Sequence, residues 1–212
     1  MADWRIACDG DTLAWQRRSR SGIDAGTQSI SGPEPLALVH ALAAVLDGRA
    51  RPGDGLRMAL GSHYMRVAAL PWPQQRLANA EQHALLRQRW QARLDDVNDW
   101  WLGVEGSGTV RLATAMRHDL LTALEGKLTD HRIRARACLP ATALALQSKD
   151  LPADGRITVI EGSRETVITL SGGRLAGLIS SWRAPATPQA ATASGGGSVR
   201  YDDGPRHWLT RL

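Results

Sequence analysis

The chain has 212 residues, of which 43% are hydrophobic and 22% charged, and its net charge is +5. That is enough apolar mass for one domain or two small lobes with a real core, and it excludes a disordered or collagen-like chain. No apolar run is long enough to span a bilayer as a helix, and two cysteines make neither a disulfide scaffold nor a zinc motif.

In chain order, Trp4, Ile6 and Cys8 alternate, Asp9-Gly10-Asp11 turns, and Leu13 and Trp15 alternate again, which predicts a β-hairpin. Gly22 to Ser29 (GIDAGTQS) follows a basic run, Arg17-Arg18-Ser19-Arg20, and reads as a polar loop leading into a strand around Gln28 to Ser31. Pro33-Glu34-Pro35 opens a helix with a stripe of Leu36, Val39, Leu42, Ala43 and Leu46, ended by Asp47-Gly48. His40 is expected at the edge of that stripe, satisfied by the core. Leu56, Met58 and Leu60 form a strand, Gly61-Ser62-His63 a turn, and Tyr64 to Leu70 the return. Adjacent Ser62 and His63 on a turn do not set a base against a nucleophile, so no hydrolase chemistry is expected there.

Asn79 to Leu94 reads as a helix with Ala80, Leu85, Leu86 and Trp90 inward and an arginine face in solvent. Trp100 to Val104 is a strand with aromatics on both faces, and both faces are expected to be covered. From Thr109 the pattern is a strand to Met116, a helix with Leu120, Leu121, Leu124 and Leu128, and a strand in which Ile133, Ala135 and Ala137 alternate with arginines. Pro140 stops it and opens a short helix carrying Ala141, Leu144 and Ala145. This is a crossover unit of an α/β sheet. Gly155 to Trp182 reads as a three-stranded meander with turns at Gly162-Ser163 and at Ser171 to Gly173. Residues 184–198 are low in complexity and read as a flexible linker, followed by an apolar-bearing tail, 199–212. Cys8 and Cys138 sit in apolar strand patterns and are expected to be buried thiols.

Two stretches carry a family resemblance. One is Arg117-His118-Asp119-Leu120-Leu121 with Leu128, Ile133 and Pro140 through Leu146. The other is Leu56 to Trp72 with the Arg-x-Arg-Trp segment at Arg87 to Trp90. Together they cover about half of the chain. The pattern resembles the actin-like cytoplasmic scaffolds of type IV pilus and type II secretion assembly, the PilM and GspL group. The resemblance implies an α/β fold: a mixed sheet with flanking helices, forming an actin-like or ribonuclease-H-like lobe over 1–150. A truncated second lobe would follow, represented by the meander of 151–183.

In that superfamily, turns after the first strand of each lobe hold the phosphates of ATP and an acidic residue holds the metal. The resemblance therefore makes Asp9 and Gly10 nucleotide-binding candidates. Gly22 to Ser29 is similar to the phosphate loop of actin-like sugar kinases, which adds Asp24 and Gly26. The turns lack the usual Lys and Ser/Thr, and the second one, Glu161-Gly162-Ser163-Arg164, lacks the Asp. We therefore expect no catalytic residue, no protein-held metal and weak or absent ATP–magnesium binding. The expected function is a non-catalytic scaffold or adaptor that binds the cytoplasmic segment of a membrane-anchored assembly protein. Tyr64, Trp72 and Trp208 are the candidate partner-binding residues. The alternatives are a small actin-like sugar kinase or ATPase using Asp9 or Asp24, and an unrelated adaptor that works through its linker and tail. The N-terminus lacks the basic and apolar regions of a secretory signal, so the expected location is cytoplasmic, peripheral at the inner membrane. No nucleic-acid partner is expected, because no recognised module accompanies the scattered arginines.

Overall fold

The computed structural model describes residues 1–32, 34–148, 151–162, 164–182, 197–201, 205, 208, 209, 211 and 212, with backbone only for 197–201. Its first sheet starts with β1 (Asp3–Cys8), β2 (Thr12–Ser19) and β3 (Gly22–Ser29), an antiparallel meander. Helix α1 (Pro35–Leu46) then leads into β4 (Gly55–Leu60), which runs parallel to β1. The fifth strand, β8 (Arg134–Pro140), enters later and lies parallel to β4, so the sheet order is β3-β2-β1-β4-β8.

Between β4 and β8 the chain inserts a three-stranded antiparallel sheet of β5 (Met65–Pro71), β6 (Trp100–Glu105) and β7 (Val110–Arg117), in the order β5-β7-β6. Helix α2 (Asn79–Gln91) covers one face of it, setting Leu86 and Trp90 against Ala68, Leu70, Leu102 and Ala113. Helix α3 (His118–Asp130) follows β7 and returns the chain to β8. Trp4, Ile6, Cys8, Leu13 and Trp15 project from one face of the first sheet, as period-2 alternation requires. They pack on Leu38, Leu42 and Leu46 of α1 and Leu120, Leu124 and Leu128 of α3. The opposite face presents Ala7, Ala14 and Ala59. These are covered by α4 (Ala141–Leu146) and by Trp208 and Leu209 of the tail.

A second sheet comprises β9 (Gly155–Glu161), β10 (Arg164–Ser171), β11 (Arg174–Trp182) and β12 (Gly197–Tyr201). Its order is β11-β10-β9-β12, with β12 parallel to β9. This repeats β3-β2-β1-β4: a three-stranded meander whose first strand gains a parallel neighbour. The two sheets are topological copies, and among the described residues the second has one strand fewer than the first.

The structure corrects several expectations. Gly22–Ser29 is a strand, not a loop. It is the edge strand of its sheet with both faces largely in solvent, so polar residues cost it little. On α1 the buried set is Leu38, Val39, Ala41, Leu42, Val45 and Leu46, while Leu36 and His40 face outward. That helix is apolar on almost every side, so its sequence could not select a face. Helix α2 ends at Gln91 and buries only Leu86 and Trp90. Trp101 is exposed: α2 covers the face of β6 that bears Leu102, and the alternate residues look outward. Cys138 is exposed because β8 is an edge strand, whereas Cys8 is buried as expected. The expected linker lies outside the described residues as far as 196; its last two positions open β12.

Candidate functional site

The C-terminal ends of parallel strands collect at one end of an α/β sheet, and ligands of such folds lie there. Here β1 and β4 end beside the end of β9, and their turns enclose a cleft of about 330 Å³. The first sheet contributes Asp9, Gly10 and Asp11 from the β1–β2 turn and Ser62 and His63 from the β4–β5 turn. The second contributes Glu161, Gly162, Arg164 and Trp182. The duplicated topology thus sets Asp9-Gly10 and Glu161-Gly162, an acid and a glycine each at the end of the first strand of a meander, on two sides of one cavity.

Each turn is built by specific contacts. Asp9 Oδ1 accepts the backbone N–H groups of Thr12 at 3.1 Å and Asp11 at 3.4 Å, closing an Asx turn over Gly10. Burial pushes the Asp9 carboxyl above its ordinary range, against the Thr12 hydrogen bond. Tyr64 donates its hydroxyl to the Gly10 carbonyl at 3.5 Å, and burial raises its pKa above that of a free tyrosine. The His63 ring stands edge-on to Tyr64, 5.0 Å between centroids.

Gly61 sits where the turns meet. A Cβ there would lie 3.1 Å from both Asp9 Cα and the Cys8 carbonyl and 3.4 Å from Glu161 Oε1. Ser62 is held from both directions by the second sheet. Its N–H donates to Glu161 Oε1 at 3.1 Å, and its carbonyl accepts from Arg164 Nη1 at 3.2 Å. Glu161 is only 7% exposed, and its second oxygen has no hydrogen-bond partner among the described residues. Burial pushes its carboxyl above the ordinary range, opposed by Ser62 and Arg164. The Arg164 guanidinium lies 4.9 Å over the ring of Trp182, which is 72% exposed at the cleft mouth.

This geometry bears on phosphate binding. A phosphate-holding turn presents free backbone amides to the anion. In the first turn the amides of Asp11 and Thr12 are already taken by the Asp9 carboxylate, and Asp11 adds a second acid at the tip. A phosphate at these two amides would have to displace the Asp9 carboxylate and sit beside Asp11. Among the described residues the cleft's arginines are Arg66 and Arg164, and Arg164 is committed to Ser62 and Trp182. Among the described residues no group of three or more His, Cys, Asp or Glu is arranged to hold a metal.

The structure separates the sequence candidates. Asp9 and Gly10 line the cleft; Asp24 and Gly26 do not. Asp24 is exposed in the middle of β3, opposite Arg17, and Gly26 exists for packing. A Cβ on Gly26 would come within 3.0 Å of the Trp15 ring. Tyr64, Trp72 and Trp208, expected to meet a partner, are all buried: their rings complete the apolar clusters of the chain itself. Trp208 and Leu209 themselves pack in cis, on the alanine face of the first sheet. Sequence reasoning did not foresee the cleft roles of Ser62, Arg66, Arg164 and Trp182. The available signal was the Glu161-Gly162 pair, which echoes Asp9-Gly10.

Two sheets of repeated topology around a central cleft define the actin-like fold. No protein-family model matches the chain, and no curated protein matches it in sequence. Solved structures do match in fold. The cytoplasmic domain of EpsL, an inner-membrane component of the type II secretion system of Vibrio cholerae, is 15% identical with a TM-score of 0.53, over 84% of this chain and 71% of that one. The PilM–PilN type IV pilus biogenesis complex gives 13% identity and a TM-score of 0.56, over 84% of this chain but only 60% of the other. A Bacteroides thetaiotaomicron protein described as having an actin-like ATPase fold gives 8% and 0.56, over 85% and 70%. At these identities the likeness is one of fold. Among the described residues no helix is long and apolar enough to cross a membrane.

Proposed function

We propose that this chain is a non-catalytic scaffold or adaptor of a type IV pilus or type II secretion-like assembly. It holds the cytoplasmic segment of a membrane-anchored assembly protein at the inner membrane. The observation that carries the reading is the Asp9 turn. It keeps the actin-like position but spends its own amides on its own carboxylate, so the cleft survives as architecture while the phosphate cradle is closed. The fold likeness to EpsL and to PilM in its complex with PilN supplies the kind of assembly.

The test has two arms. Calorimetry with MgATP is expected to give no heat at millimolar nucleotide, for wild type and for Asp9→Ala alike. Micromolar binding lost in Asp9→Ala or Asp24→Ala would replace the scaffold reading with a kinase or ATPase. In the second arm, the cytoplasmic segment of a one-span membrane protein encoded beside this chain, made as a synthetic peptide, is expected to bind the full chain. Absence of binding in that arm, with no ATP binding in the first, would remove both readings.

A further inference from the structure

The end of the first sheet opposite the cleft gathers positive charge from segments far apart in sequence. Strand register draws one continuous row across it: Ile23 on β3, Arg18 on β2, Asp3 on β1, Gly55 on β4 and Arg134 on β8. Just beyond the row lie the β2–β3 turn with Arg20, the α1–β4 loop with Arg51, and the α3–β8 loop with Arg132. The last two loops are joined by a hydrogen bond from the Gly53 N–H to the Arg132 carbonyl at 2.9 Å. Met1 lies in the same place, its Cγ 3.9 Å from where a Cβ on Gly53 would stand.

The acids of this end are largely spent. Asp3 is shared by Arg5, Arg57 and Arg136. Asp54 is buried and accepts from the N–H groups of Ala2, Trp4 and Arg51. Asp47 faces His131, and Asp130 faces Lys127. Asp24, one register step in from Ile23, is an exposed acid with no salt bridge among the described residues. Arg18, Arg20, Arg51, Arg132 and Arg134 are exposed, and none has an ion pair among the described residues. Two large apolar side chains stand exposed among them, Met1 at 79% and Ile23 at 58%.

We infer that this arginine pole is a docking surface for an anionic lipid bilayer. Several exposed guanidinium groups gathered at one end attract phosphate headgroups through the negative surface potential, and Met1 and Ile23 supply apolar contact at the interface. Nucleic acid fits less well. Its single-stranded form asks for aromatic stacking platforms, and the tryptophans of this end, Trp4 and Trp15, are buried in the core. The surface is independent of the partner-binding reading. With the pole on a membrane, the cleft at the other end of the sheet faces away and stays open.

The test is co-sedimentation of the full chain with vesicles. Binding is expected to phosphatidylglycerol–phosphatidylcholine vesicles in equal parts and not to pure phosphatidylcholine. It should vanish in about 0.5 M NaCl, where screening acts over roughly 4 Å. Replacing Arg18, Arg20, Arg51 and Arg134 by Glu should weaken it roughly a hundredfold or more, with the thermal midpoint as the check on folding. The salt series on wild type tests the idea without any variant. Equal binding to both vesicle types, no binding to the anionic ones, or tighter salt-sensitive binding to random duplex DNA through the same arginines would each overturn it.

Discussion

Glu161 accepts the Ser62 N–H at 3.1 Å across 99 residues of chain and ties the two sheets together at the cleft. Replacing it by Ala leaves a buried amide without an acceptor, at a cost of about 1–3 kcal/mol. Gln keeps an acceptor and is expected to cost less. Thermal unfolding of the two variants checks the order; equal losses would mean that the bond contributes nothing.

The same carboxyl predicts a pH signature. Burial raises its folded-state pKa above the ordinary 4.5, so the folded state binds its proton more tightly than the unfolded chain. The stability this confers is complete below 4.5 and is lost as pH rises through the folded-state value. Wild type should therefore lose stability relative to Glu161→Gln on going from acid toward neutral pH. Parallel melts that stay at a constant separation would refute this.

Asp54 behaves in the opposite sense. Burial alone would raise its pKa, but hydrogen bonds from the Ala2 N–H at 2.6 Å, Trp4 Nε1 and the Arg51 N–H hold it below the ordinary 3.8. Its contribution is present above that value and disappears as pH falls through the lower folded-state one. Asp54→Ala strands three donors and is expected to cost about 2–4 kcal/mol, read from urea midpoints at neutral pH.

Gly61→Ala tests the meeting of the turns. The added methyl would press on the Cys8 carbonyl and Asp9 Cα, backbone atoms that cannot step aside, so a loss of about 1–3 kcal/mol is expected. Gly172→Ala is the control for glycine replacement. It carries the strain of a positive φ of 56° but meets nothing within 4 Å, and its cost should be near 1 kcal/mol. A smaller loss at Gly61 than at Gly172 would contradict the close approach.

Trp208→Ala removes the largest side chain of the docked tail from its seat on Ala7, Ala14 and Ala59. A cost of about 2–4 kcal/mol is expected, less than for a deep core tryptophan because the seat is at the periphery of the fold. Limited proteolysis should release the tail of the variant well before the body unfolds. Unchanged proteolysis would show that Trp208 does not hold it.

Much of the architecture was legible in the residues themselves. Alternation of Trp4, Ile6 and Cys8, then Leu13 and Trp15, set both the strands and their buried face, because a hairpin's side-chain period leaves one choice once one face is apolar. Leu120, Leu124 and Leu128 did the same for α3. Asp9-Gly10 announced a turn at the right place in the fold. Only the tertiary structure could decide the rest. An edge strand such as Gly22–Ser29 needs no apolar face, so its pattern is that of a loop. Whether Tyr64, Trp72 and Trp208 meet a partner or the core depends on what lies over them, which spacing does not encode. The cleft forms only when strand ends 152 positions apart, at Asp9 and Glu161, are brought to one place by the duplicated sheet. The arginine pole arises in the same way: each arginine is an ordinary surface residue in sequence, and their sum appears only where five strand ends share one row.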